Sequence, residues 1–278
     1  MKLANSNGRA VIVLGEEIVD VAQASEGRFG PDPMTVFAEW DPFVAFAETA
    51  TKSTAPLVLS NLQNPVPRPA QVFAIGLNYN DHAAESGMAV PEAPAVFTKF
   101  PASLAGPFDE VEICGDSTDW EAELVVVIGR MANRVSTAEG WSHVAGLTIG
   151  QDISDRHLQF AAGAQFSLGK SRRGYGPMGP WLVSTEDFDH PDDLRIGCSV
   201  NGEIMQDSRT SELIIGVPQL VSELSAVLPL WPGDVIFTGT PAGVGVVRNP
   251  PVFLRHGDVL ETSIEQIGSI RNVCTSPA

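Results

Sequence analysis

What the 278-residue chain has little of narrows its chemistry first. Its three cysteines, Cys114, Cys198 and Cys274, show no CxxC and no Cys/His spacing, which excludes a zinc finger, a disulfide scaffold and a dithiol redox centre. They read as buried thiols of a reducing compartment. Basic residues number 17 against 34 acidic ones, a net charge of -17, and that field argues against a general nucleic-acid or anionic-membrane binder. It should equally repel an anionic small substrate. No apolar run approaches the roughly 18 to 20 residues of a membrane-spanning helix. The longest, such as Leu124 to Ile128, are strand-sized. The first nine residues carry no apolar core beside Lys2, so no secretory signal is read there and a cytoplasmic location is expected.

What is present is mostly β pattern. Residues 10 to 20 give two short apolar runs around Gly15-Glu16-Glu17, a hairpin signal, and apolar positions from Val36 to Ala50 recur at helical spacing. Three prolines in Gln63 to Ala70 interrupt regular structure and place a boundary near residue 65, dividing a small region, 1 to 65, from a larger one, 66 to 278. Beyond it, strands are expected at 71 to 76, 95 to 98, 123 to 128, 144 to 149, 181 to 184, 194 to 200, 234 to 238 and 258 to 264. Helices are expected at Ile153 to Leu168 and Pro218 to Ser225. This is α+β, mainly β, without the strand-helix alternation of a doubly wound sheet. Gly169-Lys170-Ser171 mimics the end of a phosphate-binding loop, but Gly163 stands one residue too far back and no strand feeds it.

Five stretches carry chemistry. In Asp119-Trp-Glu-Ala-Glu-Leu-Val-Val-Val-Ile-Gly129, strand alternation puts Glu121 and Glu123 on one face, about 7 Å apart, where two carboxylates need a cation between them unless they lie on a solvated strand end. Asp152 follows a strand; it is either an N-cap or one end of an Asp152, Arg156, Gln159 stripe on a helix. Together the three acids offer hard oxygen donors suited to Mg²⁺, Mn²⁺ or Ca²⁺. His82 and Glu85 stand three apart, so the carboxylate can hold the imidazole tautomer a general base needs; a surface His beside a Glu is the plainer reading. Lys170 lies in a loop rich in glycine and proline, and Thr238-Gly-Thr-Pro-Ala-Gly-Val-Gly245 forms a second such loop where an apolar strand ends.

With these residues assembled, the sequence resembles the fumarylacetoacetate hydrolase family from about residue 66 to 273. Five motifs occur in the family's order: Gly-Leu-Asn-Tyr-x-Asp-His-Ala-x-Glu at 76 to 85, Glu-x-Glu at 121 to 123, Gly-Gln-Asp-x-x-x-Arg-x-x-Gln at 150 to 159, Gly-Lys-Ser at 169 to 171, and Thr-Gly-Thr-Pro-x-Gly-Val-Gly at 238 to 245. The N-terminal region resembles the small α/β accessory domain of bacterial members. The resemblance implies a mixed β-sandwich roll, a homodimer, and one divalent cation, Mg²⁺ or Mn²⁺ with Ca²⁺ as an alternative, on Glu121, Glu123 and Asp152. It implies catalytic roles for His82, Glu85 and Lys170, and substrate contacts from Arg156, Gln159 and Thr240. One departure stands out. Many bacterial members continue the lysine motif as Lys-Ser-Phe-Asp, whereas this chain has Lys170-Ser-Arg-Arg-Gly-Tyr175. The pair Arg172-Arg173 either suits an extra substrate carboxylate or points to solvent, and Arg173 and Tyr175 join the expected substrate contacts.

The expected activity is metal-dependent cleavage of a carbon-carbon bond in a 2,4-dioxo acid of the acylpyruvate or fumarylpyruvate kind. Oxaloacetate decarboxylation and isomerisation of a 2-hydroxyhepta-2,4-diene-1,7-dioate are alternatives on the same site. A non-catalytic, metal-stabilised binding domain is the alternative from another class. The expected partner is thus a small oxo acid, with neither nucleic acid nor membrane.

Overall fold

The structure, a computed structural model, describes residues 1 to 87, 93 to 163 and 165 to 277. Its largest element is a mixed sheet through which the strand Ala122–Ile128 runs as a central member. That strand pairs antiparallel with Val144–Gln151 on one side and with Val235–Phe237 on the other. Every residue from Ala122 to Ile128 is buried, as a β-branched run covered on both faces should be. Alternation divides its side chains between two cores. Leu124, Val126 and Ile128 pack with Ile196, Leu260 and Ile270 of a second, five-stranded sheet. Val125 and Val127 pack on the opposite face with Leu3, Ile12, Phe37 and Phe43. Two facing sheets and a helical cover make the mixed β-sandwich roll that the resemblance implied.

Residues 1 to 65 extend this sheet. Lys2–Ser6 pairs antiparallel with Gly176–Ser184, placing Leu3 opposite Leu182, and the hairpin strands Arg9–Leu14 and Glu17–Asp20 follow outward. The segment expected as one helix from Val36 to Ala50 is a 3₁₀ helix, Pro33–Glu39, running into an α-helix, Trp40–Thr49. Its Phe37, Trp40 and Phe43 seal the second core.

All eight expected strands form: Val72–Gly76, Ala95–Thr98, Ala122–Ile128, Val144–Gln151, Gly176–Ser184, Arg195–Val200, Val235–Phe237 and Val259–Ile264. The expected helix from Ile153 to Leu168 does not form as one element. Ser154–Asp155 pairs with Thr118–Asp119, only Arg156–Phe160 is α-helical, and Phe166–Leu168 is a 3₁₀ turn; Ala164 lies outside the described residues. Asp155 caps the short helix through the Leu158 amide, and Gly163 at φ 69° turns the chain out of it. Asp152 is therefore neither an N-cap nor part of a helical stripe. Among the described residues no helix is long and apolar enough to cross a membrane.

Strand polarity gathers the functional loops. Val72–Gly76 runs parallel to Val235–Phe237, so the loops after them, 77 to 85 and 238 to 245, leave the sheet at the same end. The antiparallel neighbours bring the start of Ala122–Ile128 and the end of Val144–Gln151 to that end too, Ala122 opposite Gln151.

Cys198 and Cys274 are buried, and burial pushes both thiols up to about 12. At pH 8, well below that value, they stay protonated, and the thiolate is the reactive form. In a thiol-reagent titration of the folded protein, Cys198 and Cys274 should therefore remain unmodified on a timescale over which all three cysteines react in urea. Rapid labelling of either one would contradict this packing.

Candidate active site

The five sequence motifs converge at that end of the sheet, where a cavity of about 210 Å³ opens to solvent. Its polar lining comprises His82, Ser86, Glu121, Arg156, Gln159, Lys170 and Thr240. Glu123 and Asp152 do not line it. Each nonetheless offers a carboxylate oxygen within a cluster whose members, with Glu121, lie no more than 4.8 Å apart. All three acids are buried, so the solvated strand end considered for Glu121 and Glu123 is not what forms.

Charges of opposite sign hold this cluster. The Lys170 ammonium donates to Glu121 Oε2 at 2.6 Å and to Asp152 Oδ2 at 2.8 Å. Burial works against that ammonium, but Asp152 and Glu121 outweigh it and its pKa lies above the ordinary value. Glu121 answers in kind. Burial raises its carboxyl, yet Lys170, Arg156 and His82 bring it down to about 2. Glu123 has no such ammonium on it; burial, then Asp152 and Glu121, push its carboxyl well above the usual range, although the Gly239 amide donates to it at 2.8 Å.

Two further buried charges complete the cluster, and the sequence reading singled out neither. Lys99 donates to Asp152 Oδ1 at 2.6 Å and to the Tyr175 carbonyl at 3.0 Å, with the Lys170 carbonyl as a third acceptor. Burial holds its pKa below the ordinary lysine value. Asp119 accepts from Arg156 Nε at 2.8 Å and from the amides of Gly245 and Val246 at 2.7 and 3.0 Å. It thereby ties the Thr238 to Gly245 loop to Arg156, whose Nη1 reaches Glu121 at 2.7 Å and Gln159 at 3.0 Å. Period-two spacing gave a signal for Asp119, which stands two residues before Glu121 and four before Glu123. Lys99 gave none, since its partners lie 53 to 76 residues away.

Four buried carboxylates, of Asp119, Glu121, Glu123 and Asp152, thus face three buried cations, Lys99, Arg156 and Lys170. Glu123 is the carboxyl group left without a cation of its own. Hard oxygen donors, an excess negative charge and a raised Glu123 carboxyl are what a divalent cation fits, and the triad can hold one.

His82 is positioned by its own helix, Asn80–Glu85. Its Nδ1 lies 2.8 Å from Glu85 Oε1, and Glu85 also accepts from the Gly243 amide at 2.9 and 3.1 Å. With Nδ1 committed, Nε2 is the nitrogen left for the cavity. Thr240 is held by Gln206 Nε2 at 2.7 Å. Gly169 has to be glycine: a Cβ there would meet the Gln159 backbone at 2.4 Å, so the lysine loop packs directly on the short helix.

Two expected contacts are not brought here. Tyr175 is fully buried behind the site, its hydroxyl 3.2 Å from Thr118 Oγ1 and accepting from the Cys114 amide. Arg173 is exposed and lines no part of the cavity. The other arginine of the departure, Arg172, pairs with Asp155 at 2.7 Å and so braces the cap of the short helix. A larger, shallower depression of about 770 Å³ lies on the five-stranded sheet. Its charges pair at the surface, Arg195 with Asp207 and Arg209 with Glu265, and form no buried cluster.

The profile of the fumarylacetoacetate hydrolase C-terminal domain matches residues 71 to 275. The chain belongs to the fumarylacetoacetate hydrolase family. A Mycobacterium smegmatis protein provisionally called HpcE superposes with a TM-score of 0.95 at 48% identity over the whole of both chains. Maleylpyruvate hydrolase from Sphingobium sp. SYK-6, solved with manganese(II) and pyruvate, superposes at 0.83 with 27% identity, again over both chains entirely. The human mitochondrial oxaloacetate tautomerase FAHD2A is 43% identical over 211 residues, 75% of this chain and 67% of its own. The chain is accordingly a member of a family of enzymes, and the relatives just named include a tautomerase and a hydrolase.

If Asp119 organises this site, Asp119→Asn removes the carboxylate shared by Arg156 and two loop amides. Breaking a buried pair typically costs about 3 to 5 kcal/mol. Urea unfolding of the variant should show a loss of that order, and a change below about 1 kcal/mol would be inconsistent with the role given to Asp119.

Proposed function

We propose that this protein hydrolyses the carbon-carbon bond of a small acylpyruvate, a 2,4-dioxo acid. The observation carrying this reading is that the His82–Glu85 pair, at 2.8 Å, opens onto the same cavity as Glu121 and Lys170. Glu121, Glu123 and Asp152 would hold the divalent cation. When bound, it would supply Lewis-acid chelation of the 2-oxo acid and charge stabilisation as the bond breaks.

The residues do the rest. Glu85 fixes the imidazole so that Nε2 takes a proton from water. The hydroxide adds to the C4 carbonyl, the C3–C4 bond breaks, and its electron pair passes into a pyruvate enolate while C4 leaves as a carboxylic acid. The Lys170 ammonium stabilises the developing enolate oxyanion. His82 then returns its proton to C3. Arg156, Gln159 and Thr240 orient the oxo acid. The manganese and pyruvate in the related maleylpyruvate hydrolase are consistent with a 2-oxo acid at a metal.

A second reading has a specific observation behind it: the human relative and several others are named oxaloacetate tautomerases. Keto-enol exchange would use the same base and oxyanion stabilisation with no attacking water. Decarboxylation of oxaloacetate and isomerisation of a hydroxydienedioate draw on the same enolate.

Acylpyruvates, oxaloacetate and a hydroxydienedioate assayed side by side, with and without Mg²⁺ or Mn²⁺, decide between them. Acylpyruvate cleavage that needs the cation is the expected result. Exchange of oxaloacetate enol with no acylpyruvate cleavage would replace hydrolase by tautomerase. His82→Ala should lower turnover by about 10²- to 10⁴-fold with metal affinity intact; a variant of unchanged rate would remove His82 from the mechanism.

A further inference from the structure

The cavity is chemically two-ended. Next to its polar residues stand Ile75, Leu77, Phe97, Val244, Val246 and Val247, with Phe160 and Phe166. The aromatic side forms a continuous wall. Phe97 lies 5.5 Å from the Lys170 ammonium, Phe166 packs edge-on against Phe97 at 5.9 Å, and Phe160 packs edge-on against Phe166 at 5.6 Å. Lys170 is buried whereas Phe160 is 54% exposed, so this wall leads from the acid cluster to the mouth.

Among the described residues, each side chain lining the cavity that can carry positive charge is already paired, His82 with Glu85 included. Arg156 is held by Asp119 and Glu121, Lys170 by Glu121 and Asp152, and Arg172, outside the lining, by Asp155. The undescribed residues, 88 to 92, 164 and 278, include no Lys, Arg or His. A carboxylate at the far end of a substrate would lose its hydration against phenyl and valine side chains without gaining a free cation as partner, a costly transfer. An alkyl or aryl group there would gain by burial. The volume, about 210 Å³, lies below the roughly 300 to 1,000 Å³ of pockets for drug-sized ligands, so the group is small.

Resting on the acylpyruvate reading, we infer that the acyl arm of the substrate is a small uncharged apolar group, selected by the Phe97–Phe166–Phe160 wall and the facing valines, and that carboxylate-ended arms of the fumaryl or maleyl kind are rejected. The arginines that distinguish this chain's lysine motif do not supply a second carboxylate site.

Binding of unreactive acids to the Mg²⁺-loaded protein, measured by calorimetry, tests this apart from turnover. Oxalate reports the metal and oxo-acid end alone; 2-oxohexanoate and 2-oxoglutarate add arms of matched reach, one ending in methyl and one in carboxylate. The expected result is that 2-oxohexanoate binds at least about tenfold more tightly than 2-oxoglutarate, the discrimination a buried apolar wall provides. Phe160→Arg, at an exposed position that tolerates the change, should narrow or reverse that ratio while oxalate affinity stays the same. Equal or tighter binding of 2-oxoglutarate by the unaltered protein overturns the apolar-arm inference and leaves the site reading standing. Loss of all three, oxalate included, overturns the site reading and the inference with it.

Discussion

Everything at the functional end of this molecule depends on a buried electrostatic balance. Carboxylates from three separate stretches, 119 to 123, 152 and, behind the base, 85, could not be brought out of water without positive charge or amide donors to meet them. Lys99, Lys170 and Arg156 meet most of that need, and backbone amides of Gly239, Gly243, Gly245 and Val246 meet much of the rest. The glycines matter because those amides must come close. At Gly245 a Cβ would stand 1.9 Å from the Val252 carbonyl oxygen and 2.6 Å from Asp119 Oδ1. The opposition between a protein of charge -17 and an anionic substrate eases at this scale. Much of the acid is on the surface, and a divalent cation on the triad would turn the site's excess of carboxylates over Lys99, Arg156 and Lys170 into a net positive charge.

The sheet makes that balance possible by polarity. Two parallel strands, Val72–Gly76 and Val235–Phe237, deliver two loops to one end, and two antiparallel strands deliver the acids to the same end. The outer N-terminal strands and the helices from Pro33 to Thr49 close the second core behind them. Their contribution lies in covering Val125, Val127 and Phe237, the strand faces that lead into the site.

How much of this the sequence disclosed follows from which forces are local. Period-two alternation is local, and it gave the strands, the common face of Glu121 and Glu123, and their need for a cation. Helical periodicity misled at Ile153 to Leu168, where apolar spacing suggested one helix. The capping Asp155, the strand pairing of Ser154 with Asp119 and the left-handed Gly163 override it. Tyr175 stands among the expected substrate contacts, but its ring is consumed by the core. Lys99 was out of reach, because a lysine's burial is set by partners that only the completed sheet brings to it. The motif match supplied what spacing could not, namely that His82, Lys170 and the acids belong to one place.

The Glu85 carboxylate, shared between His82 and the Gly243 amide, has a consequence for how such an enzyme changes over generations. The loop it grips carries Thr240 and Val244 and runs on into Val246 and Val247, and Asp119 grips the same loop from the other side. The valines proposed to help choose the acyl arm and the residue proposed to aim the base are therefore parts of one clamped piece. A substitution that reshapes the wall enough to move the loop also re-aims the imidazole. New substrate ranges should be reached most easily from the aromatic side, at Phe160 or Phe166, which stand on separate elements and can vary without disturbing the proton chemistry.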